Sequence, residues 1–131
     1  MDILNVFIAG LASYMFGAFW YIALSKPWMA AAGVEQGEDG KPINGSDPVP
    51  YILGLVCAVI VAAAMNQFFT KADIIGIGSG AIWGFGIGSC VATPWILTNY
   101  GFAGRPPKLM FIDGAYATIG CTIIGTILTL F

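Results

Sequence analysis

Gly76, Gly80, Gly84 and Gly88 form an unbroken ladder of four-residue steps inside a stretch, residues 74–97, that carries no charge. Six of the chain's eighteen glycines lie there. In water, each interior glycine costs a helix about 1 kcal/mol relative to alanine. In a bilayer the same spacing lets a neighbouring helix approach backbone to backbone, because small residues at four-residue intervals leave a smooth ridge. The ladder therefore restricts the chain to a membrane fold built on close helix contacts.

Composition excludes the alternatives. The chain has 131 residues, of which 58% are hydrophobic and 9% charged. Soluble domains carry about a quarter charged residues. A net charge of −2 offers no basic footprint for nucleic acid. Histidine is absent, which removes the commonest general base and the usual haem and transition-metal ligand. Neither catalysis nor a cofactor is expected. What remains is an all-α integral membrane domain spanning residues 1–131.

Four segments are long enough to cross about 30 Å of hydrocarbon as helices. They cover residues 3–24, 51–69, 74–97 and 109–131, and an antiparallel four-helix bundle is the expected arrangement. The first has no basic leader and is too long for a cleaved signal, so a retained anchor is expected. The second and third are joined by only Thr70, Lys71, Ala72 and Asp73, which demands a tight hairpin. After the first span, Ser25 to Ala32 predicts a short interfacial helix, followed by a solvated acidic loop over residues 33–50.

Basic residues predict orientation. Lys26, Lys41, Arg105 and Lys108 lie in the first and third connections, against Lys71 alone on the opposite side. The positive-inside rule then places residues 25–50 and 98–108 in the cytoplasm and both termini in the periplasm of a bacterial inner membrane. Trp20, Trp28 and Trp95, with Tyr21, Tyr51 and Tyr100, mark the same boundary, where amphipathic rings favour the headgroup level. Arg105 and Lys108 complete that set of interface anchors.

A helical projection gives the third span two smooth faces. The ladder drifts through about 120° of the helix surface, while Gly78, Ser79, Gly86, Ser89 and Cys90 fall on the other side. This predicts a central helix gripped from two directions. The fourth span gathers Gly114, Thr118, Cys121, Thr122, Gly125 and Thr129 on a packing face and Ile119, Ile123, Ile127 and Leu130 on a lipid face. Every span carries a small-residue stripe, more than a minimal bundle consumes.

Chemistry-bearing groups are few. Asp113 is the one acid inside an apolar span, and an intramembrane carboxylate is a candidate proton relay, cation site or counter-ion. The projection puts it on the isoleucine side, near Arg105, Lys108 and a helix N-terminus, where a structural role is the plainer expectation. Cys57, Cys90 and Cys121 occupy three different spans without a CxxC pair, as buried small hydrophobes do. Gly76-Ile77-Gly78-Ser79-Gly80-Ala81 mimics a dinucleotide fingerprint, but its flanks are transmembrane rather than a soluble strand and helix. Glu35, Glu38, Asp39 and Asp47 lack the spacing of a calcium loop.

Two stretches carry a resemblance. Gly17-Ala18-Phe19-Trp20-Tyr21, continuing through Lys26-Pro27-Trp28-Met29 to Ala32-Gly33, is one. The other is Asn99-Tyr100, then Arg105-Pro106-Pro107-Lys108-Leu109, Ile112-Asp113 and Ala115-Tyr116. In order and over most of the chain these resemble the bacterial four-span membrane family known as domain of unknown function 1761. The resemblance implies a compact four-helix membrane domain with no assigned activity. The insert at residues 35–50 is longer than that family's usual first connection, and Ala117 stands where the family often has a polar residue.

The functional expectation is a non-catalytic subunit that packs against other integral membrane proteins, for example in a photosynthetic or respiratory complex. The alternative is a small transporter or channel, for which a homo-oligomer is one arrangement. Its candidate groups are Asp113, Thr118, Thr122 and the two glycine faces.

Overall fold

Asp2 accepts the Leu4 and Asn5 amides on its Oδ1 at 3.0 and 3.3 Å, and so caps the first helix. A computed structural model describes residues 2–131. From that cap, α1 runs Ile3–Ala23. The short helix α2 is Ser25–Ala32, on the residues expected of it, and ends at Gly33. Helix α3 is Val49–Lys71, with Pro50 in its first turn, where the missing amide hydrogen costs nothing. The third span is a composite: α4 (Ile77–Ile87), a five-residue π-turn (Gly88–Ala92) and α5 (Thr93–Phe102). Helix α6 closes the chain as Pro107–Leu128. Four segments are long and apolar enough to cross a membrane: Ile3–Ala23, Val49–Lys71, Ile77–Phe102 and Pro107–Leu128.

The third span is displaced from its expected bounds. It starts three residues later because Gly76 sits at φ +90°, outside the right-handed helical region. It extends to Phe102 because nothing stops it earlier; the Thr98 hydroxyl folds back onto the Pro94 carbonyl at 2.9 Å, as helical threonines do. Termination waits for Gly104, at φ +68°, and Pro106. The third connection is therefore residues 103–106, not 98–108.

The π-turn has a local cause. Proline at 94 has no amide hydrogen, and in an unbroken α-helix its ring would press on the carbonyl four residues earlier. Widening the preceding turn relieves this, and the Thr93 amide bonds to the Gly88 carbonyl, five residues back. The wide turn also directs Thr93 toward α6.

The pairs α1–α3, α1–α6 and third span–α6 run antiparallel, as their contacts show, which leaves α3 and α6 parallel. In α1 and α3, Gly10 abuts Val59 and Gly54 abuts Tyr14. Against α6, Gly80 meets Thr129 and Gly125, Gly84 meets Cys121, and Gly88 meets Thr118. Gly17 of α1 lies against the Tyr116 ring, and Gly120 of α6 lies against Ser13. The core between α1, α3 and α6 is made by Val6, Ala9, Ala62, Met65, Phe69, Cys121, Ile124 and Leu128.

This packing corrects the expected centre of the bundle. The helix held on several sides is α6, which meets α1, α3, α4 and α5, whereas the third span packs mainly on α6, with the Trp83 ring edge to face on Phe68 of α3 as a lesser contact. The reason lies in α6, whose small residues face different ways: Gly114, Gly120 and Gly125 are all buried. The second smooth face of the third span has no neighbour. A Cβ built on Gly78 or Gly86 would meet nothing within 4 Å. Gly76, at the foot of the ladder, likewise has open space and serves as the N-cap of α4.

Candidate functional site

Asp113 lies between one and two turns into α6, at the end of the bundle that carries α2 and the first and third connections. Both its carboxylate oxygens are taken. The Tyr21 hydroxyl of α1 donates to Oδ1 at 2.5 Å, and the Tyr100 hydroxyl of α5 donates to Oδ2 at 2.5 Å. One carboxylate thus ties together the first, third and fourth spans. Hydrogen bonds to such a group are the strong ones, worth roughly twice a neutral pair.

The expected place of Asp113, on a lipid-facing isoleucine side near basic residues, is corrected by this geometry. Asp113 and Ile124 are eleven residues apart, about 20° around an α-helix. Ile124 is 2% exposed in the core. The side that carries Asp113 therefore faces α1, not lipid. Arg105 is engaged elsewhere: its Nη1 donates to the Ala32 carbonyl at 3.3 Å, at the C-terminal end of α2. A cation at a helix C-terminus is favourably placed against the helix dipole.

Aromatic rings wall the cluster. Tyr21 meets Trp28 of α2 and Tyr116 of α6 edge to face, with centroids 6.0 and 5.4 Å apart. Phe16 stacks on Tyr116 at 6.3 Å. Beside it the Trp20 indole N–H donates to the Ile112 carbonyl at 3.0 Å. Trp20 is therefore a tie between α1 and α6 rather than a free headgroup anchor. Replacing Trp20 with phenylalanine removes that bond while keeping a ring. We expect a loss of ~0.5–1.5 kcal/mol, read as a lower thermal midpoint of the detergent-solubilised protein; an unchanged midpoint would place the indole N–H in contact with headgroups instead.

A second polar contact lies deeper. Thr93 Oγ1 donates to the Gly114 carbonyl at 3.0 Å and stands 3.1 Å from the Thr118 hydroxyl. Thr122, Thr126 and Thr129 bond to carbonyls of their own helix. On the outer surface of the third span a shallow cavity of about 240 Å³ is lined by Cys90, Val91, Pro94, Trp95 and Thr98. Among the described residues, no three His, Cys, Asp or Glu side chains stand together as a metal site requires. Cys57 and Cys90 are exposed and Cys121 is buried.

The structure thus divides the residues singled out in the sequence. Gly80, Gly84, Gly88, Gly114 and Gly125 lie in the α4–α6 and α5–α6 contacts, while Gly76, Gly78 and Gly86 lie outside them. Trp95 is 66% exposed, and Arg105 and Lys108 are also exposed. The tyrosines that hold Asp113 were legible only as boundary aromatics. A weak signal existed, since Tyr21, Tyr100 and Asp113 each fall within a turn or two of the same end of their spans.

Fold and site together define a small, multi-pass, all-helical membrane protein with a tyrosine-bound aspartate at one end of its bundle. The chain belongs to the family described as protein of unknown function (DUF1761), whose model matches residues 4–129. No curated protein and no solved structure matches it.

Proposed function

We propose that this protein is a non-catalytic subunit of a larger membrane assembly, acting by presenting the open side of its third span to another integral membrane protein. The observation that carries the reading is the unused half of a doubly smooth helix. Gly78 and Gly86 lie on that side with no atom of the bundle within 4 Å of a built Cβ, although glycine inside a helix is costly where close approach does not require it. Lipid chains need no such smoothness; a second helix does. Lys26, Lys41, Arg105 and Lys108 gather at one end of the bundle, which supports a bacterial inner-membrane setting with that end cytoplasmic and both termini periplasmic. A respiratory or photosynthetic complex is one such assembly.

Mild-detergent purification from the native membrane tests this. The wild type is expected in a large complex. Gly86→Leu should keep its thermal midpoint, because no bundle atom opposes the new side chain, yet lose the complex. Recovery of the wild type only as a monomer or homodimer would overturn the proposal. A second reading, a small transporter or channel, rests on Asp113 being bound between three spans. Solute flux in proteoliposomes that disappears in Asp113→Asn would favour it.

A further inference from the structure

The third span is held to α6 in two different ways along its length. From α4 up to the first residue of the π-turn, glycines 80, 84 and 88 bring the backbone of the span against the backbone of α6. Substitution there meets carbonyls and Cα atoms, so this half has no freedom to move without unpacking the bundle. Above the turn the contact changes character. None of the ten residues of α5 is buried. Its Trp95 is 66% exposed, Leu97 42% and Phe102 93%. Its polar attachments to α6 are Thr93, next to the π-turn, and Tyr100, near its far end.

Between the two halves lies the feature that permits them to move separately. A π-turn followed at once by proline interrupts the regular hydrogen-bond ladder, and such interruptions are where helices bend. Beyond α5, the connection at residues 103–106 contains Gly104, around which no atom would crowd a Cβ. The segment is thus jointed at both ends, nowhere fully buried, and fastened near its tip by the Tyr100 phenol.

We propose that α5 is a hinged arm that swings away from α6 about the π-turn, and that the Tyr100–Asp113 hydrogen bond is the latch that keeps it closed. Opening bares the Asp113 carboxylate and the Thr93–Thr118 hydroxyl pair to the loop end of the bundle. Tyr21 is a tie on the same carboxylate but not part of the latch, because it comes from α1 and bonds the other oxygen. This gives the proposal an internal control.

The four tryptophans allow the test to be made on the full chain. Trp95 reports on the arm, Trp83 on the fixed half of the same span, and Trp28 on the neighbourhood of Tyr21. Fluorine NMR of 5-fluorotryptophan-labelled protein in nanodiscs would follow all of them. In Tyr100→Phe the Trp95 resonance should split or broaden, with the open population raised roughly tenfold or more as one charge-assisted bond is lost. Trp83 should stay where it is in the wild type. Tyr21→Phe should move Trp28 and leave Trp95 alone.

Three results would overturn the proposal. The first is a Trp95 resonance unchanged in Tyr100→Phe. The second is a Trp83 response as large as that of Trp95, which means general loosening. The third is failure of Tyr100→Phe to fold, since a latch on an unburied arm cannot be what the bundle rests on.

Discussion

Gly84→Leu is expected to prevent the third and fourth spans from docking. A Cβ at this position already falls against the Cys121 carbonyl oxygen and within 2.9 Å of the Thr122 Cα. Both obstacles are backbone, which cannot rotate away as a side chain would. Overpacking a core with movable side chains costs about 1–3 kcal/mol, and that range is a floor here. We expect a thermal midpoint at least about 10 °C below wild type, or no recoverable protein. Alanine alone should produce much of the loss, because the first added carbon makes the collision. Gly86→Leu, two residues away on the same helix, should melt with the wild type. Equal midpoints for the two leucine variants would mean that the ladder does not face α6.

Removal of the Asp113 carboxylate is the second large effect. Asp113→Ala leaves the Tyr21 and Tyr100 hydroxyls without their acceptor. A buried donor that loses its partner costs about 1–3 kcal/mol. Both tyrosines are half-buried, so the lower end applies to each and the sum is ~2 kcal/mol. Asp113→Asn retains one carbonyl acceptor and should lose about half as much. A double-mutant cycle between Asp113→Asn and Tyr21→Phe isolates the pair, and a coupling indistinguishable from zero would refute the tie. Asp113 lies eight residues from Cys121, the residue that faces Gly84, which is about 12 Å along α6. Variants at 84 and 113 should therefore add in their effects on stability.

Much of the architecture was readable from local pattern. Four apolar runs, the punctuation at Gly33 and the hairpin around Asp73 rest on properties of neighbouring residues, and the short helix Ser25–Ala32 came out on its expected residues. The ends of the third span were less legible. Thr98 and Asn99 look like the start of a loop, but a helix in lipid continues until its backbone groups have some other partner. Here the turn at Gly104 provides the end.

The glycine ladder shows where local reading stops. Helical periodicity identified two smooth faces on the third span but could not say which was occupied. In a bilayer the solvent is as apolar as the protein interior, so hydropathy does not separate a packed face from a lipid-facing one. The same ambiguity hid the central role of α6, where Gly114 and Gly125 face the third span while Gly120 faces α1. It also put Asp113 on the wrong side, since an isoleucine-bearing surface reads alike whether it meets acyl chains or the side chains of α1.

From its residues alone, then, this chain was bound to a membrane, to four spans and to close helix contacts, because those follow from apolar length and from glycine spacing. Only the tertiary structure decided that α6 is the centre, that Tyr21 and Tyr100 meet on Asp113, and that Gly78 and Gly86 remain uncovered. Those outcomes join residues from three helices up to 92 positions apart in sequence, and no periodicity within one helix specifies which neighbour will fill its groove.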